Sequence, residues 1–180
     1  MTDFWVFGYG SLMWNPGFTF EERRTALAFG YRRALCVRSW VHRGSQDKPG
    51  LVLGLDRGGS AKGVAFRIKP EQVDDVVSYL RARELVTMVY KERTIDIRLD
   101  GGQRLKALTY VIDRNHVQYA PDIDIEHAAV TVAQATGQSG ANHDYVAQTL
   151  AHMRDLGIRD HWLEQVHQRT EQIRQEIQAP

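Results

Sequence analysis

Residues 5–14 read Trp5-Val6-Phe7-Gly8-Tyr9-Gly10-Ser11-Leu12-Met13-Trp14. Three bulky apolar residues stand on each side of Gly8-Tyr9-Gly10-Ser11. A surface turn needs no such flanks. Phe4 to Tyr9 therefore reads as a short buried strand. Two glycines and a serine carry the chain out of it, and glycine lets backbone come close to another group. The exit is either a tight turn buried in the core or a place where main chain meets a ligand.

Outward from this strand, residues 10–24 are irregular, with Asn15-Pro16-Gly17 a strong turn signal. Tyr31 to Trp40 alternates loosely, as a strand does, and Arg43 to Gly50 is a polar loop. Leu51 to Leu55 and Gly63 to Ile68 are apolar strand candidates separated by Asp56-Arg57-Gly58-Gly59-Ser60. Pro70 opens a helix at a favoured early position. Residues 90–99 and 104–112 pair as strands across the turn Asp100-Gly101-Gly102-Gln103. From about residue 124 the character becomes helical. Asn142 can cap a helix that runs to Leu156, and Gly157 can end it. His161 to Ile177 forms an amphipathic last helix. Strands early and helices late predict an α+β fold, with a curved or closed sheet and helices packed against it.

The chain has 180 residues, which predicts one domain spanning 1–180. Hydrophobic residues make up 43% and charged residues 25%, an ordinary globular balance. The net charge of +1, with no acidic or basic block, implies neither nucleic acid nor an anionic membrane as partner. No apolar run reaches the ~18 residues of a membrane span. The first residues carry Asp3 and lack the basic-then-apolar pattern of a signal peptide. Cys36 is the sole cysteine, so no internal disulfide forms. A cytoplasmic setting is expected.

Several motifs fall away on inspection. Gly8-Tyr9-Gly10 begins like a dinucleotide fingerprint, but Met13 stands where the third glycine belongs. Ser11 is not in a nucleophile elbow. The seven histidines show no metal-ligand spacing, so no metal is expected. Cys36 lies in a strand-like run and reads as a buried structural thiol.

The helix from Pro70 is more informative. Val73, Val76, Val77 and Leu80 form one apolar stripe at i, i+3, i+4 and i+7. At 100° per residue, Glu84 lies about 20° from Val73 and about 40° from Leu80. An acidic side chain thus ends the apolar face. Two readings stand. Glu84 is past the helix end or pairs with Arg83 or Arg93, or it is a partly buried carboxylate. Burial raises a carboxylate's pKa, which suits a general base.

These stretches together resemble the ChaC-type γ-glutamylcyclotransferase family. Phe4 to Trp14 is similar to its N-terminal signature. His42-Arg43-Gly44 and Lys48-Pro49-Gly50 are similar to its loop. Tyr79-Leu80-Arg81-Ala82-Arg83-Glu84 resembles its Y-L-x-x-R-E segment, whose glutamate is the catalytic base. Tyr119 lies in a segment like its late active-site loop. Gly137-Gln138-Ser139-Gly140-Ala141-Asn142, with Tyr145, resembles a G-x-S-G-x-N stretch before a helix. The match runs from about residue 4 to 160. It departs after Glu84, where Leu85-Val86-Thr87-Met88-Val89-Tyr90 replaces a short Gly-containing segment.

The resemblance implies a small β-barrel-like γ-glutamylcyclotransferase-like fold with flanking helices. It implies cleavage of glutathione to 5-oxoproline and Cys-Gly, with no metal or organic cofactor. The γ-glutamyl α-amine attacks its own γ-carbonyl, so the nucleophile belongs to the substrate. This accords with the lack of a Ser or Cys triad. Glu84 is the expected base. Val6, Phe7, Gly8, Tyr9, Gly10, Ser11 and Leu12 are expected to contact the γ-glutamyl half. Arg43 is expected near a substrate carboxylate and Tyr119 near substrate, although a solvated arginine and a core tyrosine are alternative readings. Arg38 and His42, near the same loop, stand likewise between attracting carboxylates and solvation. Other γ-glutamyl peptides or amines are rival substrates. A non-catalytic γ-glutamyl-binding regulator linked to cation transport is the rival class. No oligomeric state follows from the sequence.

Overall fold

The computed structural model describes residues 3–179; residues 1, 2 and 180, at the ends of the expected domain, lie outside it. The chain forms two compact units. One comprises the residues up to Arg33 together with Gly54–His116, the other Ala34–Leu53 and the chain from Val117. Two long strands, β2 (Glu22–Ser39) and β3 (Gly50–Ile68), contribute residues to both.

The first unit is built on β1 (Phe4–Gly8), in which Trp5 to Gly8 are all buried. An uninterrupted apolar run buried on both faces is what a central strand requires. β1 pairs antiparallel with β3, from Phe4 opposite Ile68 to Gly8 opposite Val64. It meets β5 (Arg104–Ile112) in parallel at Val6 and Leu108. With β4 (Tyr90–Leu99) the strands close a barrel in the order β1-β3-β2-β4-β5. The expected hairpin is present: Tyr90 faces Ile112, Arg98 faces Arg104, and Gly102 takes φ +90° in the turn.

Two sequence expectations need correction here. Residues 56–60 do not break the chain into two strands, since β3 continues through them. Gly58 and Gly59 take φ of +101° and +73°, so they absorb a left-handed conformation within a strand that carries on. β2 begins at Glu22 rather than near Tyr31. Its first residues are polar and partly exposed, and its inward positions there are small, Ala26 and Ala28.

A 3₁₀ turn at Pro70–Gln72 leads into α1 (Val73–Glu84). Val76 and Leu80 are buried, while Asp74, Asp75 and Arg81 are exposed, which orients the stripe as expected.

In the second unit, α2 (Ile125–Gln134), α3 (Asn142–Asp155) and α4 (His161–Gln178) pack on one another. A two-stranded ribbon, β6 (Thr136–Gly137) and β7 (Gly140–Ala141), precedes α3. Asp124 and Asp160 cap α2 and α4 by accepting from His127 N and Leu163 N. Asn142 does not cap α3; Ala141 occupies that position. The Asn142 side chain is fully buried and bonds both main-chain groups of Leu51, accepting from N at 2.7 Å and donating to O at 2.8 Å. An amide offers both an acceptor and a donor, so it can satisfy both groups of one strand residue. Gly157, at φ +68°, ends α3 as anticipated. Cys36 is 3% exposed. Among the described residues, no helix is long and apolar enough to cross a membrane.

Candidate functional site

The turn that leaves β1 is held from several sides. Thr109 donates to Phe7 O at 2.9 Å. Arg33, only 7% exposed, donates from Nε to Tyr9 O at 2.7 Å and from Nη2 to Lys62 O at 2.6 Å. A buried guanidinium thus lies against the glycine turn. A Cβ added at Gly8 would lie 3.0 Å from Leu12 Cβ and 3.3 Å from Met13 N. A side chain at this position would press on the chain where it folds back on itself. Ser11–Met13 then form a 3₁₀ turn with Leu12 and Met13 buried and Ser11 exposed. The first N–H groups of such a turn find no partner within it.

α1 delivers two adjacent residues to this turn. Arg83 donates from Nη2 to Ser11 Oγ at 2.9 Å. From Nη1 it reaches Asn15 O at 2.7 Å, Pro16 O at 3.2 Å and Tyr79 Oη at 3.3 Å. Its Nε lies 3.3 Å from Glu84 Oε1. Tyr79 itself packs where Gly17, at φ +75°, leaves room; a Cβ there would overlap the Tyr79 hydroxyl. One guanidinium therefore joins the serine, the Asn15-Pro16-Gly17 turn and the carboxylate that ends the apolar stripe. Both readings of Glu84 hold in part. It is partly buried at the end of the helix, and it is paired with Arg83.

Burial raises the pKa of Glu84 above the ordinary glutamate value, and the neighbouring Arg83 charge pulls it back only in part. The opposite environment surrounds Glu92. Arg81 grips it with two bonds, Nε to Oε2 at 2.9 Å and Nη2 to Oε1 at 2.8 Å, and holds its pKa below the usual range. Tyr110, 1% exposed, donates to Glu92 Oε2 at 3.0 Å. Burial, then Glu92, raises the tyrosine's pKa, and the Glu84 charge adds to the effect. Tyr110 stays a neutral phenol. The pKa values of two carboxylates on neighbouring elements are thus pushed in opposite directions, Glu84 up by burial and Glu92 down by Arg81.

The first unit therefore joins a partly buried carboxylate, Glu84, through Arg83 to a hydroxyl-bearing glycine turn. Val6 to Leu12 all belong to this unit. Arg43 and Tyr119 belong to the second. Arg43 donates to Ala141 O at 3.3 Å and stacks 5.5 Å from the Tyr145 ring centroid. Tyr119 bridges to Val37 as an isolated pair, and its carbonyl accepts from Arg38 Nη1 at 3.0 Å. His42 Nδ1 lies 2.9 Å from Ser139 Oγ. Among the described residues, no three His, Cys, Asp or Glu side chains gather as metal ligands.

Residues 4–173 match the family described as ChaC-like protein. The protein belongs to the ChaC family. A relative from Escherichia coli K12, a glutathione-specific γ-glutamylcyclotransferase, is 35% identical over 87% of this chain and 68% of its own length. A human relative, glutathione-specific γ-glutamylcyclotransferase 1, is 36% identical over 85% of this chain and 71% of its own. The crystal structure of a yeast γ-glutamyl cyclotransferase specific to glutathione superposes with a TM-score of 0.84. It covers 99% of this chain and all of that one at 21% identity, a likeness of fold. In this ChaC chain, the sequence placed Glu84 on the helix beside Arg83, the glycine turn's partner, which read only as one member of an expected ion pair, and it gave no sign of the contacts that Arg33, Glu92 and Tyr110 make. The motifs Y-G-S-L and Y-L-x-x-R-E lie far apart in the chain, and nothing in either points the arginine of one at the serine of the other.

Proposed function

We propose that this ChaC-family lyase cleaves glutathione to 5-oxoproline and Cys-Gly, within one catalytic domain and without metal or organic cofactor. The observation that carries the reading is Glu84: a carboxylate with raised pKa joined through Arg83 to the Ser11 hydroxyl. The glutathione-specific relatives support the choice of substrate. Glu84 takes a proton from the substrate α-ammonium. The freed amine attacks the γ-carbonyl carbon, a five-membered ring closes, and the carbonyl oxygen becomes an oxyanion. The oxyanion then re-forms the carbonyl as the bond to the cysteine nitrogen breaks, the proton held by Glu84 passes to that nitrogen, and the ring nitrogen gives up its second proton to the freed Glu84 carboxylate, leaving 5-oxoproline and the Cys-Gly amine.

Between unperturbed groups, at about 4.3 for Glu and about 8 for an α-amine, the first transfer costs on the order of 5 kcal/mol. Burial of Glu84 lowers that cost. Backbone from Val6 to Leu12 and the Ser11 hydroxyl bind the γ-glutamyl carboxylate or the oxyanion. The Arg33 guanidinium, bonded to Tyr9 O beside the turn, favours either anion. The family motifs support Arg43 and Tyr119 as further substrate ligands. A cytoplasmic setting accords with a sole, buried cysteine. Incubation with glutathione and mass detection of 5-oxoproline tests the reading. Release from other γ-glutamyl peptides but not from glutathione would transfer the activity to the rival substrates, and binding without release would make the protein a regulator.

A further inference from the structure

The Ser11 hydroxyl has one hydrogen to donate and lone pairs to accept with. Arg83 Nη2 donates into that oxygen at 2.9 Å. A guanidinium cannot accept a hydrogen bond, so the Ser11 hydrogen must point elsewhere. Among the described residues Ser11 Oγ has no acceptor of its own. Ser11 is exposed, so the hydrogen faces open space at the end of the glycine turn. The same guanidinium is tied to the carbonyls of Asn15 and Pro16, which fixes its plane. Its Nε faces Glu84 at 3.3 Å.

We infer that Arg83 is a positioning residue that makes Ser11 a committed hydrogen-bond donor toward an anionic group of the substrate, and that sets this donor at a fixed place relative to Glu84. Without Arg83, the hydroxyl could turn its hydrogen to water or to Glu84, and its lone pairs would face the substrate anion in part of the population. The arrangement is preorganised: the dipole is aimed before charge develops, so no reorientation is needed during the reaction. Lysine cannot replace the arginine fully, because a single ammonium lacks the planar fork that serves serine, carbonyls and carboxylate together. The inference rests on the cyclotransferase reading, but it fails separately from it.

The test is a double-mutant cycle in kcat/KM for glutathione, with Ser11→Ala, Arg83→Met and the pair, measured on the alkaline plateau of the rate profile where Glu84 is fully ionised. Thermal unfolding checks each variant. Ser11→Ala is expected to lower kcat/KM by about 10²-fold, the usual loss for one oxyanion-type donor. Arg83→Met is expected to lose as much in the parent background. It is expected to lose no more than about threefold further once Ser11 is alanine, because coupled residues do not add. Ser11→Thr, which keeps the hydroxyl, is expected to restore most of the rate. Should Arg83→Met fail to fold, Arg83→Lys takes its place in the cycle with the same pattern at smaller amplitude. A second readout is the acid limb of the profile in the Ser11→Ala background. Removing Arg83 there is expected to move the limb to higher pH, since its charge lowers the Glu84 pKa. Losses that multiply in full, or an unmoved limb, overturn the inference while leaving wild-type 5-oxoproline release intact. Absence of that release in the parent protein breaks the cyclotransferase reading instead.

Discussion

Arg83 and Arg43 each hold a turn, but by different means. Arg83 works by charge and hydrogen bonding: its guanidinium touches a hydroxyl, two carbonyls, a phenol and a carboxylate. Arg43 makes one long bond to Ala141 O and lies over the Tyr145 ring. The loop around Arg43 is held by close backbone approach instead. A Cβ at Gly44 would lie within 2.6 Å of Ser39 O, and one at Gly137 within 2.5 Å of Val41 O. Beside it, Asn142 binds both main-chain groups of Leu51. The first corner leaves reactive capacity in an ionisable group and an outward hydroxyl. The second spends its polar groups on shape. Damage to the first should appear in the rate, and damage to the second in stability.

The largest expected effect falls on Glu84. Glu84→Gln keeps the fold and lowers 5-oxoproline release by about 10²–10⁴-fold, as loss of a general base does. Near-normal release from a folded variant would end the assignment. Next comes the second corner. Asn142→Ala leaves the N–H and C=O of Leu51 without partners in a buried place and is expected to cost on the order of 2–4 kcal/mol of stability. Urea unfolding measures it, and kcat per folded molecule should hardly change. A large fall in kcat with unchanged stability would erase the contrast between the corners.

A smaller effect is expected from Arg43→Glu. If Arg43 meets the glycine carboxylate of glutathione, KM for glutathione rises by about tenfold with little change in kcat, and a γ-glutamyl dipeptide lacking that carboxylate is spared. Equal losses on both substrates would remove Arg43 from substrate binding.

Much of this was legible in the sequence where the signal is local. The 3.6-residue stripe placed Glu84 at the end of an apolar face, and the turn residues at 100–103 placed the β4–β5 hairpin. What escaped depends on long-range pairing. Arg83 meets Ser11 across 72 positions and Arg33 meets Tyr9 across 24, with no periodicity to announce either. Asn142 was misread for the same reason: asparagine before a helix is a capping signal, yet its amide serves Leu51, 91 positions away. The Gly58-Gly59 pair read as a break because glycine favours turns, but β3 carries on through both in left-handed conformations that glycine adopts freely.

The smallest expected effect concerns pH. The folded chain holds the Glu84 proton more tightly than the unfolded chain, because burial raises the folded pKa. The stability this gives is fully present below the unfolded carboxylate range and is lost as pH rises through the raised value. Glutamine stays neutral throughout. Glu84→Gln should therefore have a higher Tm than wild type at neutral pH, and the gap should close on acidification. A gap that is constant with pH would mean that Glu84 carries no burial penalty in the folded chain.

The single thiol of the chain has a consequence for an enzyme bathed in its own substrate. Glutathione and its oxidised form exchange readily with exposed cysteines, through attack by a thiolate on a disulfide sulfur. A reactive cysteine near the surface would collect mixed disulfides and tie the protein's state to the redox poise of the pool it consumes. Cys36 is 3% exposed in β2, out of ready reach of a disulfide in solution. With no second cysteine in the chain, no intramolecular bridge can form either. A redox switch through a thiol of this chain is thereby closed off.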